Sequence, residues 1–236
     1  MTAPENQETR IDLAAALRLA AHFGLNEGIC NHFSVGIGSD SYLLNPHGIH
    51  WSAVTAPDLV VVGPEVSGEA ELTALQIHSA IHRQHHDAAC VMHTHMPWAT
   101  ALTCLERPSF RYVHQNALRF YDDIAWDNDY RGLAESPEEG ERIAAAMGEA
   151  HVLFMAHHGV TVVGASVAEA FDRLYYLERA CEIQVKAMAT GEPLRDVGTD
   201  IARATKKQFD AGGTYAVAHF EALKRLLPPA PAGHVA

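Results

Sequence analysis

Apolar positions along the chain alternate between a helical and a strand-like spacing. Ile11, Leu13, Leu17, Leu19 and the intervening alanines recur at helical spacing, so a helix is predicted over Ile11–Phe23, with Gly24 as its stop. From Asn31 to Val62 the pattern shortens to strand-like pieces, Phe33–Val35, Tyr42–Leu44 and Leu59–Val62, punctuated by Gly, Ser, Asp and Pro. Glu71 to about His86 returns to helical spacing, and Ala88–His95 is an apolar run of strand length. The second half repeats the alternation. Ser136-Pro137-Glu138-Glu139 starts a helix running to about Ala150, followed by strands over His151–Ala156 and Val160–Val163. Ser166 with Glu169 opens a long helix that Gly191-Glu192-Pro193 closes. One or two further helices are expected within 198–227. No repeat, low-complexity stretch or linker divides the chain. The expectation is a single three-layer α/β domain over 11–227, with a flexible start at 1–10 and a tail at 228–236.

Composition narrows the class of function. The 236 residues carry 17 Lys+Arg against 29 Asp+Glu, a formal charge of −12. Nucleic acid and anionic membranes are therefore poor partners, since either wants a basic patch. A 48% hydrophobic content suits a packed globular domain. Four scattered cysteines form no CxxC pair, and the start lacks a signal-peptide pattern, so a reducing cytoplasm is the expected compartment. No apolar run approaches the roughly 20 residues of a membrane span. Histidine is the unusual count, sixteen in all, so the charge depends strongly on pH.

Two histidine motifs carry candidate chemistry. His93-Thr94-His95 ends an apolar strand, where side chains two apart share a face about 6–7 Å apart along the chain. Two imidazoles so placed can converge on one metal, or can simply be solvated at a strand end. His157-His158-Gly159 also follows an apolar strand, Val152–Met155, and can bring a third ligand to the same point. Three ligands leave positions open for substrate, as in a catalytic site. Gly159 is expected to permit a sharp turn just behind that ligand.

The ordered set resembles the class II aldolase/adducin family over about residues 11–190. It comprises Asn31-His32-Phe33-Ser34, Leu44-Asn45-Pro46-His47-Gly48, the helix Ile77–His82 with Asp87, His93-Thr94-His95, His157-His158-Gly159 and the helix after Ser166. The resemblance implies an α/β/α domain around a mostly antiparallel sheet, class II aldolase-like, usually a homotetramer with sites between subunits. It implies a divalent metal, zinc foremost with manganese or iron compatible, held by His93, His95 and His158, with His157 a non-ligating neighbour.

Departures from the family pattern shape the functional reading. The sugar-phosphate aldolases carry a glutamate base nineteen residues before the first histidine of HxH, which falls on Ala74. Alanine moves no proton. Glu71 and Glu69 lie nearby, either as displaced carboxylates or as solvated acids at a helix start. The family's phosphate-binding serine pair becomes Leu72-Thr73, which argues against a phosphorylated substrate. Asn31 and Ser34 retain part of a substrate-binding element, and His47 and His50 add histidines that bind a carboxylate or are merely exposed. The proton-donating tyrosine nineteen residues after the second histidine becomes His114, with Tyr112 the alternative if the intervening loop slips.

Retro-aldol cleavage needs a base for the hydroxyl proton, whereas decarboxylation leaves its electron pair behind with the departing CO2. The expectation is a metal-dependent carbon–carbon lyase acting on a small hydroxy or oxo acid. It takes a small-molecule substrate and no nucleic-acid or membrane partner. A non-haem Fe(II) oxygenase of such an acid is one alternative, and a non-catalytic adducin-like assembly module is the other.

Overall fold

The computed structural model describes residues 6–38, 40–64 and 70–229. Residues 1–5 of the start expected to be loose over 1–10, the candidate Glu69 and the tail beyond residue 229 lie outside the described residues, and residues 7–10 of that start are helical instead. Among the described residues seven α-helices and seven strands follow in the order α1 (Gln7–Phe23), β1 (His32–Gly36), β2 (Tyr42–Leu44), β3 (Val60–Val62), α2 (Leu72–Gln84), β4 (Cys90–Thr94) and α3 (Pro97–Thr103). The remainder are β5 (Ile124–Asp127), α4 (Pro137–Met147), β6 (Val152–Met155), β7 (Gly159–Gly164), α5 (Val167–Met188), α6 (Thr199–Asp210) and α7 (Tyr215–Lys224). Helix α1 begins four residues before the predicted Ile11. It ends as predicted at Gly24, whose φ of 67° lets its N–H return to the carbonyls of Ala20 and Ala21. Ser136 and Ser166 cap α4 and α5 by accepting from the backbone N–H of Glu139 and Glu169.

The strands form one sheet in the order β3-β2-β1-β4-β7-β6-β5, antiparallel throughout except for the β5–β6 pair. Alternation along each strand divides the core into two faces. Met92, Phe154 and Val162 join Leu17 of α1, Ala99 of α3 and Leu174 of α5 on one face. Val91, Leu153 and Val163 meet Ile77 and Ile81 of α2 and Ile143 of α4 on the other. Helices α1, α3 and α5 therefore cover one side and α2 and α4 the other, the predicted three-layer arrangement. Gly140 lets α4 ride against α2, because a Cβ there would sit 2.4 Å from the Gln76 carbonyl oxygen. Among the described residues no helix is long and apolar enough to cross a membrane.

Helix α3 and strand β5 did not announce themselves in the periodicity. Seven residues do not complete two turns, and α3 is held instead by Glu178 of α5, whose carboxylate accepts from the Trp98 and Ala99 N–H groups at 2.9 Å each.

Candidate metal centre

Strand β4 places His93 on the face covered by α2, between His32 of β1 and Thr161 of β7. Its Nδ1 lies 3.0 Å from the Val160 carbonyl oxygen, which can only accept, so Nδ1 carries the proton and Nε2 is bare. His95, just past the strand end, has its Nδ1 2.7 Å from Glu27 Oε2, and the same logic leaves its Nε2 bare. The two Nε2 atoms stand 3.2 Å apart. With neutral rings those lone pairs repel each other unless a cation lies between them. Ligands about 2.0–2.1 Å from a tetrahedral zinc stand roughly 3.3 Å apart, so the spacing fits a shared ion.

His158 completes the cluster. Its ring centroid is 4.7 Å from that of His93 and 4.9 Å from that of His95, and one potential ligand atom from each of the three lies within 4.8 Å of the others. The hairpin between β6 and β7 brings it there. His157 takes the left-handed turn conformation, φ 57°, and stays exposed, while the His158 N–H donates to the Met155 carbonyl at 3.2 Å. Gly159 is therefore not the turn residue predicted for it. It is the first residue of β7, where glycine is required because a Cβ would meet the Thr94 carbonyl oxygen at 2.5 Å and His95 Cδ2 at 2.9 Å. Burial, with His32, His158 and His95 adding to it, holds His93 well below the ordinary histidine range. Burial followed by the influence of His95 lowers His158 to about 4. Both rings therefore stay in the neutral form that binds metals. A cleft of about 500 Å³ opens beside them, lined by Glu27, His95, Thr100, Tyr130, His157 and His158.

The remaining candidates divide. Asn31 is buried immediately before β1; its Oδ1 accepts from the Glu27 N–H at 2.7 Å, and among the described residues its Nδ2 has no partner. Ser34 is fully buried, and its hydroxyl is taken up by His78 and His82, so it is turned away from the substrate-binding role the resemblance implied. His47 is exposed on the turn after β2, and among the described residues it makes no hydrogen bond to the centre. His114 takes no part in the ring contacts of the centre; both its ring nitrogens are buried without a partner among the described residues, and burial lowers its pKa. The Tyr112 hydroxyl donates to the Phe120 carbonyl at 3.3 Å. Ala74 is 1% exposed and packs with Tyr42, Leu44 and Val62. Glu71 is the N-cap of α2, and its Oε2 accepts from the Ala74 N–H at 2.8 Å and from the Thr73 hydroxyl at 2.6 Å. Burial pushes its carboxyl up, but these bonds outweigh that and leave it below the usual range.

Residues 11–185 match the family described as Class II Aldolase and Adducin N-terminal domain. The chain belongs to the class II aldolase and adducin family. An aldolase II superfamily protein from Pseudomonas syringae superposes with a TM-score of 0.86 at 32% identity, covering 96% of this chain and 94% of that one. An adducin-related protein of Schizosaccharomyces pombe is 30% identical over 94% of this chain and 75% of its own length. Decarboxylase NovR of Streptomyces niveus is 28% identical over 83% of this chain and 75% of its own. The seven-stranded sheet and its helical layers are thus the class II aldolase fold that the histidine motifs implied.

Glu27 was not legible as a partner of the centre, because it lies 68 residues from His95 in a loop with no periodicity. His78 and His82 carried a usable signal: four apart on α2, they share one helix face.

Proposed function

We propose that the chain is a divalent-metal-dependent carbon–carbon lyase acting on a small, unphosphorylated hydroxy or oxo acid by aldol cleavage or decarboxylation. The observation that carries this reading is the pair of bare Nε2 atoms 3.2 Å apart in His93 and His95, with His158 in ring contact with both. A divalent ion held by these three, zinc foremost with manganese or iron also suited, would supply Lewis-acid stabilisation of the negative charge left when the bond breaks.

The chain's own groups divide the remaining work. Glu27 holds His95 in the ligating tautomer. The unpartnered Asn31 Nδ2 offers a donor to the substrate carboxylate. The reading gives His114 the role of proton donor to the carbon of a site on a neighbouring copy, which requires its ring, buried here at both nitrogens, to turn outward on assembly. The reading makes the chain a homotetramer in a reducing compartment, supported by Leu133, 71% exposed, and Tyr130, 51% exposed, near the cleft, and by four free cysteines. A buried Ala74 leaves no carboxylate at the usual base position, so a hydroxyl proton must find another acceptor.

Small hydroxy and oxo acids incubated anaerobically with the metal-loaded chain test this. Release of CO2 or an aldehyde, abolished in His93→Ala, is expected; turnover only with oxygen refutes the lyase and favours the iron oxygenase. The second reading is an adducin-like assembly module, favoured by Ala74 and the adducin-related relative. It predicts an intact oligomer with no turnover on any acid.

A further inference from the structure

Behind the centre, four side chains of β1 and α2 form one continuous hydrogen-bonded row. His82 Nδ1 is 2.8 Å from the Ala88 carbonyl oxygen, and His82 Nε2 is 2.7 Å from Ser34 Oγ. Ser34 Oγ is also 2.5 Å from His78 Nδ1, and His78 Nε2 is 2.8 Å from His32 Nδ1. The His32 ring stacks on His93 with centroids 4.7 Å apart.

The directions in this row are forced from its far end. A carbonyl oxygen only accepts, so His82 donates from Nδ1 and a neutral ring then accepts at Nε2. The single Ser34 proton is spent on His82, so Ser34 must accept from His78 Nδ1–H. His78 Nε2 is thereby bare and accepts from His32 Nδ1–H. Burial supports the neutral rings this needs, lowering His82 to about 4 and holding His78 well below its ordinary value. His32 is 4% exposed, and burial lowers it to about 3, outweighing the pull of the Glu71 carboxylate, which acts on it from nearby without a hydrogen bond. Its second nitrogen, Nε2, takes no part in the row.

We infer that the row locks His32 in the Nδ1–H tautomer and presents its bare Nε2 beside the three-histidine centre, as the acceptor for the hydroxyl of a small hydroxy acid that Ala74 cannot supply. This rests on the proposed function for its ligand, but not for the tautomer itself. Free neutral histidine favours the other tautomer, so three consecutive Nδ1–H rings are a specific signature.

Two-bond ¹H–¹⁵N correlation spectra of the metal-free, ¹⁵N-histidine-labelled full chain read it directly, with assignments from single histidine variants. Bare Nε2 at His32, His78 and His82 is expected, with tautomer mixing at His78 and His32 in Ser34→Ala, which breaks the row without touching His32. A protonated Nε2 or an imidazolium at His32 overturns the inference. On the zinc-loaded chain, glycolate should bind about fivefold tighter than acetate, the worth of one neutral hydrogen bond. That preference should vanish in His32→Phe and fall in Ser34→Ala, each read against the zinc affinity of the same variant; a preference that persists in both refutes the acceptor role. A chain that binds no zinc defeats the function proposed above, and the metal-free spectra still decide the tautomer.

Discussion

Glu27→Ala tests whether the carboxylate at His95 belongs to the centre. Glu27 Oε2 lies 2.7 Å from His95 Nδ1 and fixes both the tautomer and the ring orientation that aim Nε2 at its neighbour. Loss of such a partner costs roughly 10–100-fold in metal affinity. Here the Glu27 side chain is 69% exposed while His95 is 19% exposed, so water replaces part of what is lost. The low end applies: about tenfold, or about 1.4 kcal/mol. Glu27→Gln keeps an acceptor for Nδ1–H but removes the charge, so it should fall between wild type and alanine. Chelator competition with zinc measures both, with thermal unfolding of the metal-free chains as control, where neither variant should differ much. Equal zinc affinity in wild type and Glu27→Ala, or equal loss in Gln and Ala, would refute the orienting role.

Three further outcomes follow from packing and burial. Gly159→Ala forces a Cβ to within 2.5 Å of the Thr94 carbonyl oxygen and 2.9 Å of His95 Cδ2, so it should cost about 1–3 kcal/mol in urea unfolding and also weaken zinc binding. Gly140→Ala, with its 2.4 Å approach to the Gln76 carbonyl oxygen, should cost a similar roughly 1–3 kcal/mol yet leave zinc affinity unchanged, because it disturbs α2 against α4 and none of the three ligands. Burial raises Glu178 to about 7 despite its bonds from the Trp98 and Ala99 N–H groups. Its folded pKa lies above the unfolded 4.5, so its contribution is full below about pH 4.5 and is lost as pH rises through about 7. Wild type should therefore lose stability relative to Glu178→Gln across that window, by something of the order of 3 kcal/mol, measured as unfolding free energy against pH.

What was legible beforehand was whatever repeated locally. Helices α1, α2, α4 and α5 were visible because their apolar stripes run for several turns, with Gly24 ending α1 and Ser136 and Ser166 starting α4 and α5. That a histidine from each motif could meet was legible because both motifs close an apolar strand, while the choice of His158 over His157 came from the family resemblance. Long-range partnerships were not. Glu27 reaches His95 across 68 residues and Glu178 caps α3 across 80, and no spacing rule encodes either. Ser34 was misplaced for a related reason: alternation puts it on the α2 face, but only the packing shows that His78 and His82 claim its hydroxyl. The role of Gly159 was misread because a glycine needed for close approach looks the same in sequence as one needed for a turn.

The central claim is that His93, His95 and His158 form one metal centre with His157 outside it. Zinc affinity of the full chain and of four alanine variants, by chelator competition, tests it directly. Wild type should bind a single ion per chain. The variants at 93, 95 and 158 should each lose more than the roughly 10–100-fold scale of a supporting residue, and His157→Ala should match wild type. A wild type that binds no divalent ion, or a His157 variant as impaired as the His158 variant, would contradict the account.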